Sequence, residues 1–458
     1  MKTIHSSTIL LSFTFVLGGS LLSFACQGGT TDEAGQAGAK GLGGASQGSG
    51  GSAGEDGSGS AGEANSGGSA GEASDPEPAE ECPSGVALLM SDFLSTEIAL
   101  LDLSGDVKDP SFLSTGSTAT DGLAFPLSGD VFVPFGRAGE LVVLDRYGTN
   151  VVSFVNPETG KVRAQLPVGM GFESNPYDYL QLSEDEGALL RFAQNPSPGS
   201  QAFDEGGDLL FIDTKEAKIS SNVVFESYEG LPPGPSHLTV LENELFVTLE
   251  RLSTDYTKTG EAMIVPVSLA TRKVGKAIVL KGLKSCGALV PVPGRNEVAT
   301  ACTGRIDTTG EAEDLSQSAL VFFDTTSRPL RELRRLPAKA IAGEPLQAQV
   351  AFASEQVALL KTLTAYGGDK HNRLLAVDLD TEETTELLEA LPDGMGRGRG
   401  VSFGTIHCAP GCSDVCLMPD GSRGQVARIQ VRSGRARLES PTLLGGTAGL
   451  PPANLGSY

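Results

Sequence analysis

From about residue 85 onward, short apolar runs alternate with clusters of Gly, Asp, Asn, Ser, Thr and Pro. The stretch NVVSFVNPETGKV, Asn150 to Val162, shows the unit most clearly. Two β-favouring runs flank Asn156-Pro157-Glu158-Thr159-Gly160, a set of turn formers, so the pattern predicts a hairpin. Counterparts of Asn156 are Asp102 in IALLDLSGDV, Asp213 in LLFIDTKEAKI, Ser268 in IVPVSLATRKV, Asp324 in LVFFDTTSRPL, Asp378 in LLAVDLDTEET and Gln430 in ARIQVRSGRA. The seven positions are spaced by 54, 57, 55, 56, 54 and 52 residues. A period this regular is the mark of a repeat architecture.

Two further strands fit between successive hairpins. Tyr177–Leu182 and Ala188–Ala193 flank the turn SEDEG; Cys286–Val292 and Val298–Cys302 flank PGRNE; Gln347–Ala353 and Gln356–Leu363 flank Ser354-Glu355. Each period thus encodes four short strands, with a helical pattern only around Arg331–Leu336. A four-stranded sheet of this size cannot cover both of its faces, whereas seven packed radially cover one another. The expected fold is all-β: a seven-bladed β-propeller of four-stranded antiparallel blades. Upstream of Asp102 there is room for one strand only, Gly85–Ser91. AGLPPANL, Ala448–Leu455, echoes EGLPPGPSHL, Glu229–Leu238, which leads into an innermost strand. The C-terminal segment is therefore expected to complete the first blade.

PETGKVRAQLPVG followed by NPYDYLQLSEDEG resembles the YVTN-type repeat of bacterial seven-bladed propellers. The likeness is confined to Asn150–Gly187. It implies the fold and leaves the ligand open.

The chain begins differently. Lys2 precedes the apolar run Ile9–Ala25, which reads as a signal peptide over residues 1–25. LLSFAC resembles a bacterial lipobox, with Cys26 as the lipidated residue. Ser23 stands where that motif prefers Leu, and Ser23-Phe24-Ala25 also suits ordinary signal peptidase, which would give secretion without lipid. Gln27, not Asp, follows the cysteine, so the expected location is the outer membrane of the cell envelope. Residues 26–81 hold Gly, Ser, Ala and Glu with almost no large apolar side chain, and SAGE recurs three times. Such a segment cannot bury enough surface to offset its ordering entropy and is expected to be a disordered linker. As a Gly-rich coil it would span on the order of 40 Å. The propeller occupies residues 82–458.

A formal charge of −23 argues against nucleic acid and anionic lipid surfaces as partners, because both require a basic face. Apart from Cys26 the chain has six cysteines, an even number in an exported protein. Cys286 and Cys302 lie equally far from Gly294 at a hairpin tip and should face each other. Cys408 and Cys416 bracket the loop APGCSDV, leaving Cys412 for Cys82. The cluster HCAPGCSDVC, His407 to Cys416, also has the residue types of a zinc site, with disulfides preferred in an oxidising compartment. His237 and His371 are isolated in sequence and read as packed or solvated.

No nucleophile elbow, metalloprotease helix, phosphate loop or dinucleotide fingerprint is present. The acidic turns at Ser183–Glu186 and Asp307–Asp314 lack calcium-loop spacing. With no Trp and 6% aromatic residues, glycan recognition loses weight. The expected function is a non-enzymatic, membrane-anchored binding or scaffolding module, monomeric, without cofactor, whose partner is an envelope protein or a small ligand. The alternatives are a propeller lactonase or hydrolase with a metal in its channel, and a small-molecule or ion-binding protein.

Overall fold

The computed structural model describes residues 82–136, 139–306, 314–364, 371–391, 403–444 and 449–458, and, by backbone alone, 13–17 and 20–24. Phe13–Leu17 pairs antiparallel with Ser20–Phe24. Cys26, the Gly-rich segment and residues 307–313 of the acidic turn lie outside the described residues. Among the described residues, no helix is long and apolar enough to cross a membrane.

Seven four-stranded antiparallel sheets form the propeller. Numbered along the chain, blades one to six have as inner strands Pro452–Ser457, Val131–Phe132, Pro176–Gln181, Pro235–Leu241, Val290–Pro291 and Leu346–Phe352. In blade seven this place is taken by a stretch in which Phe403 and His407 bridge to Asp420 and Leu417. The second and third strands carry the core. In blade one Val86–Ser91 and Thr96–Leu101 are buried throughout, as are Leu141–Asp145 and Val151–Val155 in blade two. Their apolar runs are continuous because neighbouring blades cover both faces. Val142 and Leu144 of blade two pack with Tyr179, Leu189 and Leu210 of blade three. Phe322 of blade five likewise packs with Phe352 and Leu360 of blade six. Each such side chain contributes about 1.5–3 kcal/mol.

The repeat positions mark the hairpins between third and fourth strands. Asp102 Oδ1 accepts the N–H groups of Ser104 and Asp106, and Asn156 Oδ1 those of Glu158 and Thr159. Asp213, Ser268, Asp324 and Asp378 cap their turns in the same way. Gly160 turns at φ 71°, where glycine carries no Cβ penalty. Gln430 departs from the pattern. It lies inside Gln425–Arg432, and its turn follows at Ser433-Gly434.

The ring closes as the repeated LPP segment indicated. Pro452–Ser457 pairs with Val86–Ser91, and the last residue is built in. Tyr458 O accepts from the N–H of Ser84 and of Gly85, and its own N–H reaches Gly85 O. Disulfides join Cys82 to Cys412, Cys286 to Cys302 and Cys408 to Cys416. The first spans 330 residues and links the start of the ring to blade seven.

Two local expectations are corrected. Arg331–Pro337 is the outer strand of blade five, and a single α-helical turn, Ala338–Ile341, adjoins it. An exposed outer strand with one packed face admits the mixed polar pattern that resembled a helix. The inner strand of blade five is also shorter than Cys286–Val292. Gly287 O turns to the hydroxyls of Thr248 and Thr300, at 3.0 and 2.9 Å, instead of serving the ladder.

Candidate functional site

The hairpins capped by Asp102 and its counterparts all lie at one end of the ring. At the opposite, apical end, inner strands begin and second strands finish, so side chains distant in sequence converge there. Inner strands are stitched to their neighbours by single polar groups. Asp178 Oδ2 accepts Leu238 N–H across blades three and four at 2.8 Å. Gln349 both donates to Ile406 O and accepts from its N–H. Thr405 accepts Leu455 N–H, and Asn454 accepts Val133 N–H.

His237 breaks this rule. It stands opposite Thr248, as Asp178 stands opposite Leu190 and Asn454 opposite Leu89. Those three second-strand residues pair in turn with Ile264, Leu209 and Ile98, each four before its repeat position, so the places are equivalent. Yet His237 Nε2 is buried and has no hydrogen-bond partner. Its ring meets Tyr177 edge-on, with centroids 6.0 Å apart, and Tyr177 Oη is likewise buried and unpartnered. Two orphaned polar atoms on touching rings are uncommon in a native interior and call for a polar occupant.

Glu250, at the end of the second strand of blade four, completes the cluster. It is 3% exposed and held by the Ser236 hydroxyl. Burial pushes its carboxyl up to about 7 and pulls the His237 imidazole down to about 4. Tyr177, pushed well above 10 by burial and then by the Glu250 charge, keeps its proton. Asp178 is also raised to about 7 by burial, against the N–H groups of Leu238 and Tyr179. The nearby Arg146 is engaged by Asp130. His237 is partly exposed, so the cluster lies just beneath the apical surface. A chemically complete set results: a carboxyl that exchanges its proton near neutrality, a phenol that donates, and an uncharged imidazole.

A recess of about 440 Å³ between the apical loops of blades two and three is lined by Gly148, Asn150, Gly169, Met170 and Glu173. Its one carboxylate is engaged by Asn150 Nδ2 and Gly148 N–H, so it offers no acid–base pair. Among the described residues, no group of three or more His, Cys, Asp or Glu has the arrangement to hold a metal ion. The metal expected with the hydrolase alternative therefore finds no such donor set among the described residues. The zinc alternative fails on chemistry, because all three cysteines beside His407 are in disulfides. His407 instead packs against Phe135, the ring centroids 5.4 Å apart and the planes tilted by 42°.

Lys361 is a second departure. It pairs with Leu374, four before Asp378, where the other blades place Leu89, Leu144, Leu190, Thr248, Ala301 and Pro419. It is 2% exposed, donates to Gly404 O, and is pulled down to about 7 by burial. Between pH 7 and 10.5 the unfolded chain binds a proton that the folded chain lacks, so the cost is complete below 7 and fades toward 10.5. Lys361→Met is expected to raise the Tm by about 3–6 °C at pH 6 and by little at pH 10, measured calorimetrically.

No family model matches the chain, and no curated protein matches it. Solved propellers do. A protein from Bacteroides fragilis, provisionally named a 6-phosphogluconolactonase, aligns over 83% of this chain and 99% of its own at 10% identity, TM-score 0.50. The periplasmic gluconolactonase of Pseudomonas aeruginosa aligns over 81% and 98% at 13% identity, TM-score 0.50. A hypothetical selenium-binding protein from Sulfolobus tokodaii aligns over 82% and 93% at 8% identity, TM-score 0.50. At these identities the likeness establishes the seven-bladed fold. The expectation of a non-enzymatic scaffold is corrected at this point. Propellers of the same build carry lactonase names.

Proposed function

We propose that the protein is a hydrolase that opens lactones at its apical cluster, with Glu250 as general base and acid and Tyr177 as hydrogen-bond donor to the carbonyl oxygen. The observation that carries this reading is the pair of buried, unpartnered atoms, His237 Nε2 and Tyr177 Oη, beside a carboxyl poised near pH 7. The lactonase names of propellers with this fold support it. Water attacks the lactone carbonyl carbon while the Glu250 carboxylate takes its proton. Tyr177 O–H, kept protonated by burial, stabilises the oxygen that gains charge. As the intermediate collapses, the ring C–O bond breaks and Glu250 returns the proton to the departing alkoxide. His237, uncharged at neutral pH, orients the water.

An unphosphorylated sugar lactone fits better than a phosphorylated one, since Arg146 and Arg251, the arginines near the cluster, are already engaged by Asp130 and Glu229. The test is a pH-stat assay of glucono-1,5-lactone and its 6-phosphate. Saturable hydrolysis above the spontaneous rate, favouring the neutral lactone, is the expected result. Equality with buffer for both substrates would remove the reading. We further propose that the enzyme works at the cell envelope, held through Cys26, which mass spectrometry of the mature N-terminus would reveal.

A further inference from the structure

Glu250 is followed directly by a buried arginine that binds two apical loops, as Arg191 of blade three binds Val168 O and Phe203 O. Arg251 is 1% exposed and sits at φ 54°, a left-handed conformation unusual for a side chain of this size. Its guanidinium donates to Tyr228 O at 3.0 Å, to the Glu229 carboxylate at 2.8 Å and to Glu261 O at 3.1 Å, and lies 4.6 Å from the Tyr228 ring centroid. Gly260 permits this burial, because a Cβ there would stand 2.8 Å from the guanidinium carbon.

The groups it grips belong to two apical loops. Tyr228 and Glu229 lie on the connector from blade three to blade four, and Glu261 on the loop leading to the third strand of blade four. The same connector binds the Glu250 backbone. Gly234 O accepts Glu250 N–H at 3.0 Å, and Pro233 O accepts Arg251 N–H at 3.1 Å. Gly234 also rests on Phe192, the ring that stacks on Tyr177 at 5.2 Å. One side chain therefore ties together the two halves of the cluster, Tyr177 from blade three and Glu250 from blade four.

We infer that Arg251 is the positioning residue of the apical site, clamping the connector so that Glu250 stays dry and in register with Tyr177. This rests on the catalytic reading for its purpose, but its physical content is testable without activity. The groups facing Glu250 are Ser236, which bonds it, and Tyr177 and Tyr256, which its charge acts upon. None is a cation, so burial alone holds the carboxyl high, and loosening the clamp must lower it.

The experiment follows carboxyl ¹³C shifts in the full chain labelled at glutamate, with Glu250→Gln as the assignment control. In the wild type one glutamate should titrate near pH 7. In Arg251→Met that midpoint should fall by a unit or more, and in Arg251→Lys by less. The double variant Tyr228→Ala/Glu229→Gln, which removes partners and keeps the arginine, should act in the same direction if Arg251→Met fails to fold. A folded variant in which the Glu250 midpoint stays in place would overturn the inference. Lactone assays on the same proteins separate the two ideas. A shifted midpoint without wild-type activity sinks the enzymatic reading alone. Activity with an unmoved midpoint sinks the positioning role alone.

Discussion

Glu250→Gln is expected to lower kcat for lactone opening by about 10²–10⁴-fold, the usual worth of a general acid–base group. In the wild type, activity should rise with pH through a midpoint near 7, because burial holds the carboxyl there and the carboxylate form is the base. The variant should lose that limb. Stability should move the other way. A folded-state value above the unfolded one means that the folded protein keeps a proton between about pH 4.5 and 7 that the unfolded chain gives up. The carboxyl therefore favours folding below this window, and that advantage is lost as pH rises through 7. Above pH 7 Glu250→Gln removes a buried charge, so its Tm should equal or exceed that of the wild type. An inactive, more stable variant is the signature of a group retained for chemistry. Lower stability with unchanged kcat would assign Glu250 to structure instead. Parallel titration of Tyr177→Phe, which keeps the ring and removes one hydroxyl, distinguishes the donor from the base.

The second large effect concerns ring closure. Deleting residues 452–458 should abolish cooperative folding. The lost strand Pro452–Ser457 is buried throughout, and Leu455 and Tyr458 are 1% and 4% exposed. Its removal bares the edge of Val86–Ser91 and strips Thr405 of its partner Leu455 N–H. It also deletes the Tyr458 carbonyl that receives Ser84 and Gly85. The loss at Leu455 and Tyr458 alone is on the order of 3–6 kcal/mol, a large share of the net stability of a typical domain. Far-UV circular dichroism during heating should show a broad, early transition in place of one sharp step. A sharp transition within a few degrees of wild type would mean that blade one stands without its inner strand.

Part of this molecule was legible because its cause is local. A side-chain oxygen at Asp102, Asn156, Asp213, Asp324 or Asp378 caps its own turn within a few residues. Turn chemistry of that kind repeats visibly at one spacing, and the spacing counts the blades. Closure was legible too, because the LPP segment before Pro235 recurs before the last strand. The short helical pattern near Arg331 misled for the converse reason. An outer strand sees solvent on one face, and its alternation was overridden by the packing of blade five.

The apical cluster left only faint traces in the letters. Glu250 and Arg251 end the apolar run ELFVTLER, and Lys361 interrupts VALLKTL, both breaches of an otherwise apolar strand pattern. His237 looked like any isolated histidine. Composition, turn chemistry and the beat of apolar runs are properties of neighbouring residues, so the chain alone determined seven sheets, their order and where its ends meet. Which polar groups lose their water together is a property of the closed ring. Tyr177, His237 and Glu250 come from three neighbouring segments of two blades, and only radial packing brings them side by side, removes their solvent and favours the uncharged form of each.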